Sequence, residues 1–167
     1  MDRARESTLA RHVSAAVQGE YVELDELWWQ AGWTPSDPGQ FARRVRDQLL
    51  NVRWVVDGNY LNEVGVAEVW QAAEMVVWLD LPRRVAFRST VQRSARRALT
   101  RQQLWNGNRE RLSVLTPRSL RRLWRSWPGY GGRIRTRLQD PALNQLRVVR
   151  LRSPRHVRSF LLTLGTS

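Results

Sequence analysis

Two rhythms of apolar spacing alternate along this chain. Leu9, Val13, Ala16 and Val17 recur at helical spacing; Ser7 or Thr8 is placed to start that helix and Gly19 to end it. Tyr21-Val22-Glu23-Leu24 then reads as a strand leading to Asp25. Leu27 through Pro35, with Trp28, Trp29 and Trp33, reads as an aromatic loop or a short helix. Asp37 before Pro38 is an N-cap followed by proline at the first helical position, and Phe41, Val45 and Leu49 mark that helix's inner face. Trp54-Val55-Val56 is a short apolar run that stops at Asp57, where Asp57-Gly58-Asn59 is turn chemistry. After a connection with Val64, Val66, Val69 and Trp70, the form repeats: Met75 to Leu79, then Asp80-Leu81-Pro82. Pro82 opens a long helix with Phe87, Val91, Ala95 and Ala98 on one side. Leu104 to Glu110 reads as a turn in a mobile cover, and residues 118–127 as a helix punctuated by Pro128-Gly129 and Gly131-Gly132. Leu146 to Leu151 is the last strand. Ser153-Pro154 starts a final helix whose face is Val157, Phe160, Leu161 and Leu164.

Strands alternating with helices predict a three-layer α/β domain. The near-continuous apolar runs at 54–56 and 75–79 suit buried strands of a mostly parallel sheet. Ligands gather at the carboxyl ends of such strands, which places Asp57 and Asp80 on the functional edge. For either Asp taken alone, capping the next turn is the plainer role.

The chain's 167 residues suffice for one domain with a real core. It has no cysteine, which excludes disulfides, thiolate metal sites and thiol catalysis and suits a reducing, cytoplasmic compartment. Two histidines, His12 and His156, make a histidine-rich metal site improbable. No apolar run approaches the length of a membrane span. The net charge of +13 is segregated. Residues 1–82 carry 7 Arg against 13 acids, a net of −6, whereas residues 83–167 carry 21 Arg against Glu110 and Asp140, a net of +19. Such a field attracts nucleotide phosphates, nucleic acid or an acidic surface. Every cation is arginine, whose fork matches phosphate oxygens.

Six segments together resemble the P-loop nucleotide-kinase-like proteins known as topology-modulation proteins or adenylate-kinase-related ATPases. They are Ser7-Thr8-Leu9-Ala10-Arg11, Glu23-Leu24-Asp25, Trp54 to Tyr60, Val76 to Arg83, Leu104 to Glu110, and Val148 to Pro154. They run in the family's order over nearly the whole chain. The resemblance implies a single P-loop NTPase-like domain, with a core over 1–82 and 140–167 and a helical, arginine-rich lid over about 83–139. It implies Mg-ATP as cofactor, with the Ser7 hydroxyl as direct Mg²⁺ ligand, Asp57 holding Mg²⁺ through water, and Thr8 beside the phosphates. Asp25 falls near the phosphate acceptor, a nucleotide or other small molecule, where it orients or deprotonates a hydroxyl or else caps a helix. Arg93, Arg96, Arg97, Arg133, Arg135 and Arg137 fall in the lid, where they neutralise charge during phosphoryl transfer or stand as solvated surface residues.

The chain departs from the family at the decisive place. A P-loop reads Gly-x-x-x-x-Gly-Lys-Ser/Thr, its backbone N–H groups cradling phosphates. Here Glu6 holds the Lys position, Arg5 the preceding Gly position, and the first Gly would lie upstream of Met1. The strand that launches the loop, central in the family's sheet, is missing as well. The expectation is therefore weak or lost phosphoryl transfer. Without that strand, its two neighbours close up, accept another segment, or leave rows of unpaired backbone groups. Each unpaired group costs about 1–3 kcal/mol when buried. The charge pattern leaves two rival readings: a nucleic-acid-binding protein that stacks bases on Trp105, Trp124, Trp127 or Tyr130, and a non-catalytic remnant.

Overall fold

In the computed structural model, described over residues 3–60, 66–126 and 128–164, helices and short parallel strands alternate. The side chains of residues 3–7, 126 and 128–130 lie outside the description, as do Val64 and Trp127 entirely. Helix α1 (Arg3–Val17) leads through Gln18-Gly19 into β1 (Glu20–Glu23). Leu24, expected at the end of that strand, instead begins α2 (Leu24–Trp28) and is nearly fully buried. The aromatic stretch then forms a small antiparallel hairpin, β2 (Trp29–Gln30) with β3 (Thr34–Pro35). Helix α3 (Pro38–Leu49) starts as expected: the Asp37 carboxylate accepts the Gln40 N–H at 2.9 Å, with Pro38 in the first turn. Strand β4 (Trp54–Asp57), helix α4 (Val66–Ala72) and strand β5 (Met75–Leu79) follow. The basic half supplies α5 (Arg83–Leu99), α6 (Pro117–Ser126) and α7 (Pro128–Arg137), and the chain returns through β6 (Arg147–Leu151) to α8 (Pro154–Leu164). Among the described residues, no helix is long and apolar enough to cross a membrane.

The glycines at 131 and 132 do not break the chain as expected; they lie inside α7, which Pro128 opens. Gly131 packs beside Trp78 and Asp80, so α7 lies against the end of β5.

The strands form two separate parallel pairs instead of one sheet. β1 pairs with β4, matching Glu20 with Trp54 through Glu23 with Asp57. β5 pairs with β6, matching Met75 with Arg147 through Leu79 with Leu151. No described backbone hydrogen bond joins β4 to β5. One helix nevertheless roofs both pairs. Leu9 and Val13 of α1 share a core with Leu79, Leu151 and Val157, against which Val55 of β4 and Val77 of β5 also pack. A second core on the other side holds Leu24, Phe41, Val45, Val66 and Val69. The runs at 54–56 and 75–77, expected to be buried, are only half-buried. The neighbouring strands have thus stayed apart, and the residues along them are for the most part only half-buried. This lowers the penalty that full burial would impose.

Candidate functional site

Parallel pairing brings the carboxyl ends of β1 and β4 to one edge. Glu23 stands opposite Asp57 there, and Asp25 follows in the first turn of α2. The Tyr21 hydroxyl donates to Asp57 Oδ2 at 2.9 Å. The Tyr60 hydroxyl donates to Oδ1 of Asp25, which is 7% exposed. Glu23 accepts a hydrogen bond from Trp105 and lies 3.7 Å from the Arg11 guanidinium, which also stacks 4.3 Å above the Tyr21 ring. Burial raises the Glu23 pKa above 4.5, and the negative charges of Asp57 and Asp25 push the same way; Trp105 and Arg11 oppose them.

A turn contributed by the basic half covers this edge. Asn106 takes a left-handed conformation (φ 53°, ψ 36°) and its amide donates to the carbonyls of Trp29, at 2.6 Å, and Glu26, at 3.3 Å. Asn108, 4% exposed, accepts the Trp33 N–H at 2.9 Å and donates to the Gln30 carbonyl at 2.8 Å. The Trp33 indole donates to the Arg109 carbonyl at 3.1 Å. Trp29, Trp33 and Trp105 meet edge to face, and Arg97 lies 5.7 Å over Trp105. The stretch expected to be a mobile cover is thus clipped to the aromatic hairpin. Trp105, Asn106 and Asn108 orient the acidic edge instead of standing free.

The residues singled out in the sequence separate into two groups. Asp25 and Asp57 come together, and Arg97 approaches them through Trp105. Arg93 and Arg96 share α5 with Arg97, Arg96 on its exposed side. Arg133, Arg135 and Arg137 lie on α7, beside the end of β5; Arg135 Nε donates to the Gly131 carbonyl at 3.2 Å. Ser7 is within α1, its side chain outside the described set, and Thr8 is exposed. Asp80 does not belong to the site: its carboxylate takes Nε of Arg150 at 2.8 Å together with a second Arg150 nitrogen, and Arg150 stacks on Trp78. Glu23, Tyr21, Tyr60 and Arg11 are site groups that sequence reasoning misses. The signal for them is Tyr21 and Glu23 on one face of β1, with Asp25 two residues further on, together with Tyr60 three residues past Asp57.

Mg-ATP does not fit these residues. Backbone that would have to curl into a phosphate cradle is already helical from Arg3 onward, with Glu6 inside the helix. A cluster of three acids also repels a triphosphate. What the edge offers is proton exchange at Glu23 and hydrogen-bond acceptance from a hydroxyl or a cation.

No family model, no curated protein and no solved structure matches this chain.

Proposed function

We propose that the chain is a divergent relative of P-loop kinase-like proteins in which phosphoryl transfer is weak or lost. The observation that carries this reading is the meeting of Asp25 and Asp57 at one carboxyl edge of parallel strands, each held by a tyrosine hydroxyl. That edge is where an α/β phosphotransferase places its acceptor and its metal-directing acid. The helical start of α1 and the charge of Glu6 support the loss of the phosphate-handling half. The intact chain is titrated with Mg-ATP while its melting temperature and γ-phosphoryl transfer to nucleoside monophosphates are followed. No transfer is expected, and millimolar nucleotide moves the melting temperature by less than about 1 °C. An ATP-dependent rise of several degrees, or measurable turnover, overturns the reading.

A second reading, polyanion binding, is favoured by one feature of α6. Arg118, Arg121, Arg122 and Arg125 line an open groove with Pro117, while Leu120 and Leu123 are half-buried on the helix's other side. Guanidinium groups at this spacing track a phosphate backbone. Base stacking is a poorer fit than the sequence suggests. Trp124 is enclosed by Phe87, edge-on at 5.1 Å, and by Arg83 at 3.8 Å, and Trp105 is engaged with Trp33. Trp127 and Tyr130 fall outside the described side chains.

A further inference from the structure

We infer that the arginine face of α6, together with the short turn that leads into it, is a docking surface for an anionic lipid bilayer. The inference deepens the polyanion reading of α6 and rests on it; it names the partner. Arg118, Arg121, Arg122 and Arg125 fall within about 100° of the helix's circumference. The opposite side is occupied. Leu120 and Leu123 are half-buried there, and Trp124 meets Phe87 edge-on and lies under Arg83. That packing fixes how α6 is rolled and turns its arginines outward. All four are exposed and line one open groove with Pro117. Among the described residues, no carboxylate pairs with any of them. The two acids of the basic half are engaged elsewhere: Glu110 accepts the Ser94 hydroxyl at 3.0 Å, and Asp140 accepts the Ala142 N–H at 3.0 Å. The positive field over this face is therefore uncompensated.

Charge alone does not separate a lipid headgroup from a nucleic-acid phosphate, but the neighbours of the arginines do. A single turn of 3-10 helix, Leu112–Leu115, precedes α6. The Ser119 hydroxyl donates to the Ser113 carbonyl at 3.2 Å, which seats that turn against the start of the helix. Thr116 Oγ1 accepts the Ser119 N–H at 3.3 Å and holds the junction. Two aliphatic side chains of the turn face water: Leu112 is 57% exposed and Val114 38%. Exposed Pro117 carries this apolar strip to the rim of the groove, and exposed Arg111 flanks its other end. Single-stranded nucleic acid is gripped by aromatic faces on which bases stack. The ring that α6 contributes, Trp124, is covered by Phe87 and Arg83. What lies free beside the arginines is aliphatic and offers a base no π-face. Such side chains gain instead by leaving water for the acyl boundary of a bilayer, while the guanidinium groups beside them hold headgroup phosphates.

The two contributions are separable. Each arginine near an anionic surface strengthens association about fivefold, and Leu112 with Val114 together about tenfold. The apolar side of α6 stays packed within the protein, so the helix lies flat on the headgroups and only the turn dips below them.

The test uses the intact chain, sedimented at about 0.15 M salt with vesicles of phosphatidylcholine alone or with about 30% phosphatidylserine. Binding to the anionic vesicles only is expected. Leu112→Ser combined with Val114→Ser lowers that partitioning about tenfold and leaves the affinity for a labelled oligothymidylate unchanged. Replacing the four arginines by Gln lowers both, the vesicle partitioning by about a hundredfold or more. All six side chains are exposed, so these variants should melt with the parent; the comparison of the two vesicles needs no variant and decides should one fail to fold. No binding to anionic vesicles at that salt, equal binding to both vesicles, or undiminished binding of the Leu112 and Val114 variant overturns the inference. Oligonucleotide binding that persists there without vesicle binding also overturns it, making nucleic acid the partner while the polyanion reading stands. Retention of all binding by the arginine variant overturns that reading itself.

Discussion

Glu23 stands directly across from Asp57 in the register of two parallel strands. Burial makes ionisation of Glu23 harder, and the carboxylate that main-chain pairing sets opposite it adds repulsion. The Glu23 pKa is therefore raised in the folded state above its ordinary 4.5. The sign is the reverse of that for a salt-bridged acid. Below pH 4.5 both states hold the proton and Glu23 contributes no pH dependence. As pH rises from there through the folded pKa, the unfolded chain ionises first and stability is lost. Glu23→Gln keeps an acceptor for Trp105 and removes the charge. It is expected to melt above the parent at neutral pH, with the difference vanishing below pH 4.5. A constant difference across that range, measured by thermal melts at several pH values, refutes the assignment.

Asn108 joins segments distant in sequence through one buried amide. Asn108→Ala leaves the Trp33 N–H and the Gln30 carbonyl without their partner. A loss of about 2–4 kcal/mol is expected in urea denaturation. The tryptophan emission of the native state should also shift, because Trp29, Trp33 and Trp105 depend on this clip. Loss of stability with an unchanged native spectrum would show that the clip does not order the aromatic cluster.

Gly58 follows Asp57 with φ of 154°, and a Cβ there would sit 2.8 Å from the Leu24 Cβ. Leu24 is 2% exposed and has no room to retreat. Gly58→Ala therefore combines backbone strain with overpacking and costs about 2–4 kcal/mol. Because the strain falls between Asp57 and Tyr60, the chemical shifts of the Asp25 and Asp57 carboxyls should move as well. A variant as stable as the parent would mean that this turn is not built as described.

The groove of α6 makes a separable prediction. Replacing Arg118, Arg121, Arg122 and Arg125 together by Gln should weaken single-stranded oligonucleotide binding. It should lower the log–log salt slope by about 0.7 for each phosphate that the groove no longer neutralises, or about 3 in all. The melting temperature should change little, since all four side chains are exposed. An unchanged slope, read from anisotropy titrations at several salt concentrations, would place polyanion binding elsewhere, α7 being the next candidate.

Much of the local structure was legible in the residues. Asp37-Pro38 and Ser153-Pro154 begin helices because a side-chain acceptor followed by proline satisfies the first turn. The apolar faces of α3 and α8 bury the positions their spacing marks: Phe41 and Val45 in α3, and Val157 in α8 with Phe160 and Leu161 half-buried beside it. Asp57 was identifiable because an apolar run ending in a carboxylate marks a strand's carboxyl end, a mark that also picks out Asp80, which pairs with Arg150 instead; Asp25 was singled out only through the resemblance of Glu23-Leu24-Asp25. Glu23 was not identifiable, since its pKa depends on the strand placed opposite it. Nor were the hydrogen bonds of Asn106 and Asn108, which reach partners more than seventy residues away.

By itself, then, the sequence determined the type and approximate place of most helices and strands and the separation of acidic and basic halves. These follow from local chemistry, which a residue carries wherever it is folded. Only the tertiary structure decided that four parallel strands form two pairs under one helix, and that Asp80 belongs to Arg150 while Asp25 and Asp57 belong to tyrosines. Those outcomes depend on which backbone edges and side chains meet across long stretches of chain, and neighbour-by-neighbour spacing holds no record of such meetings.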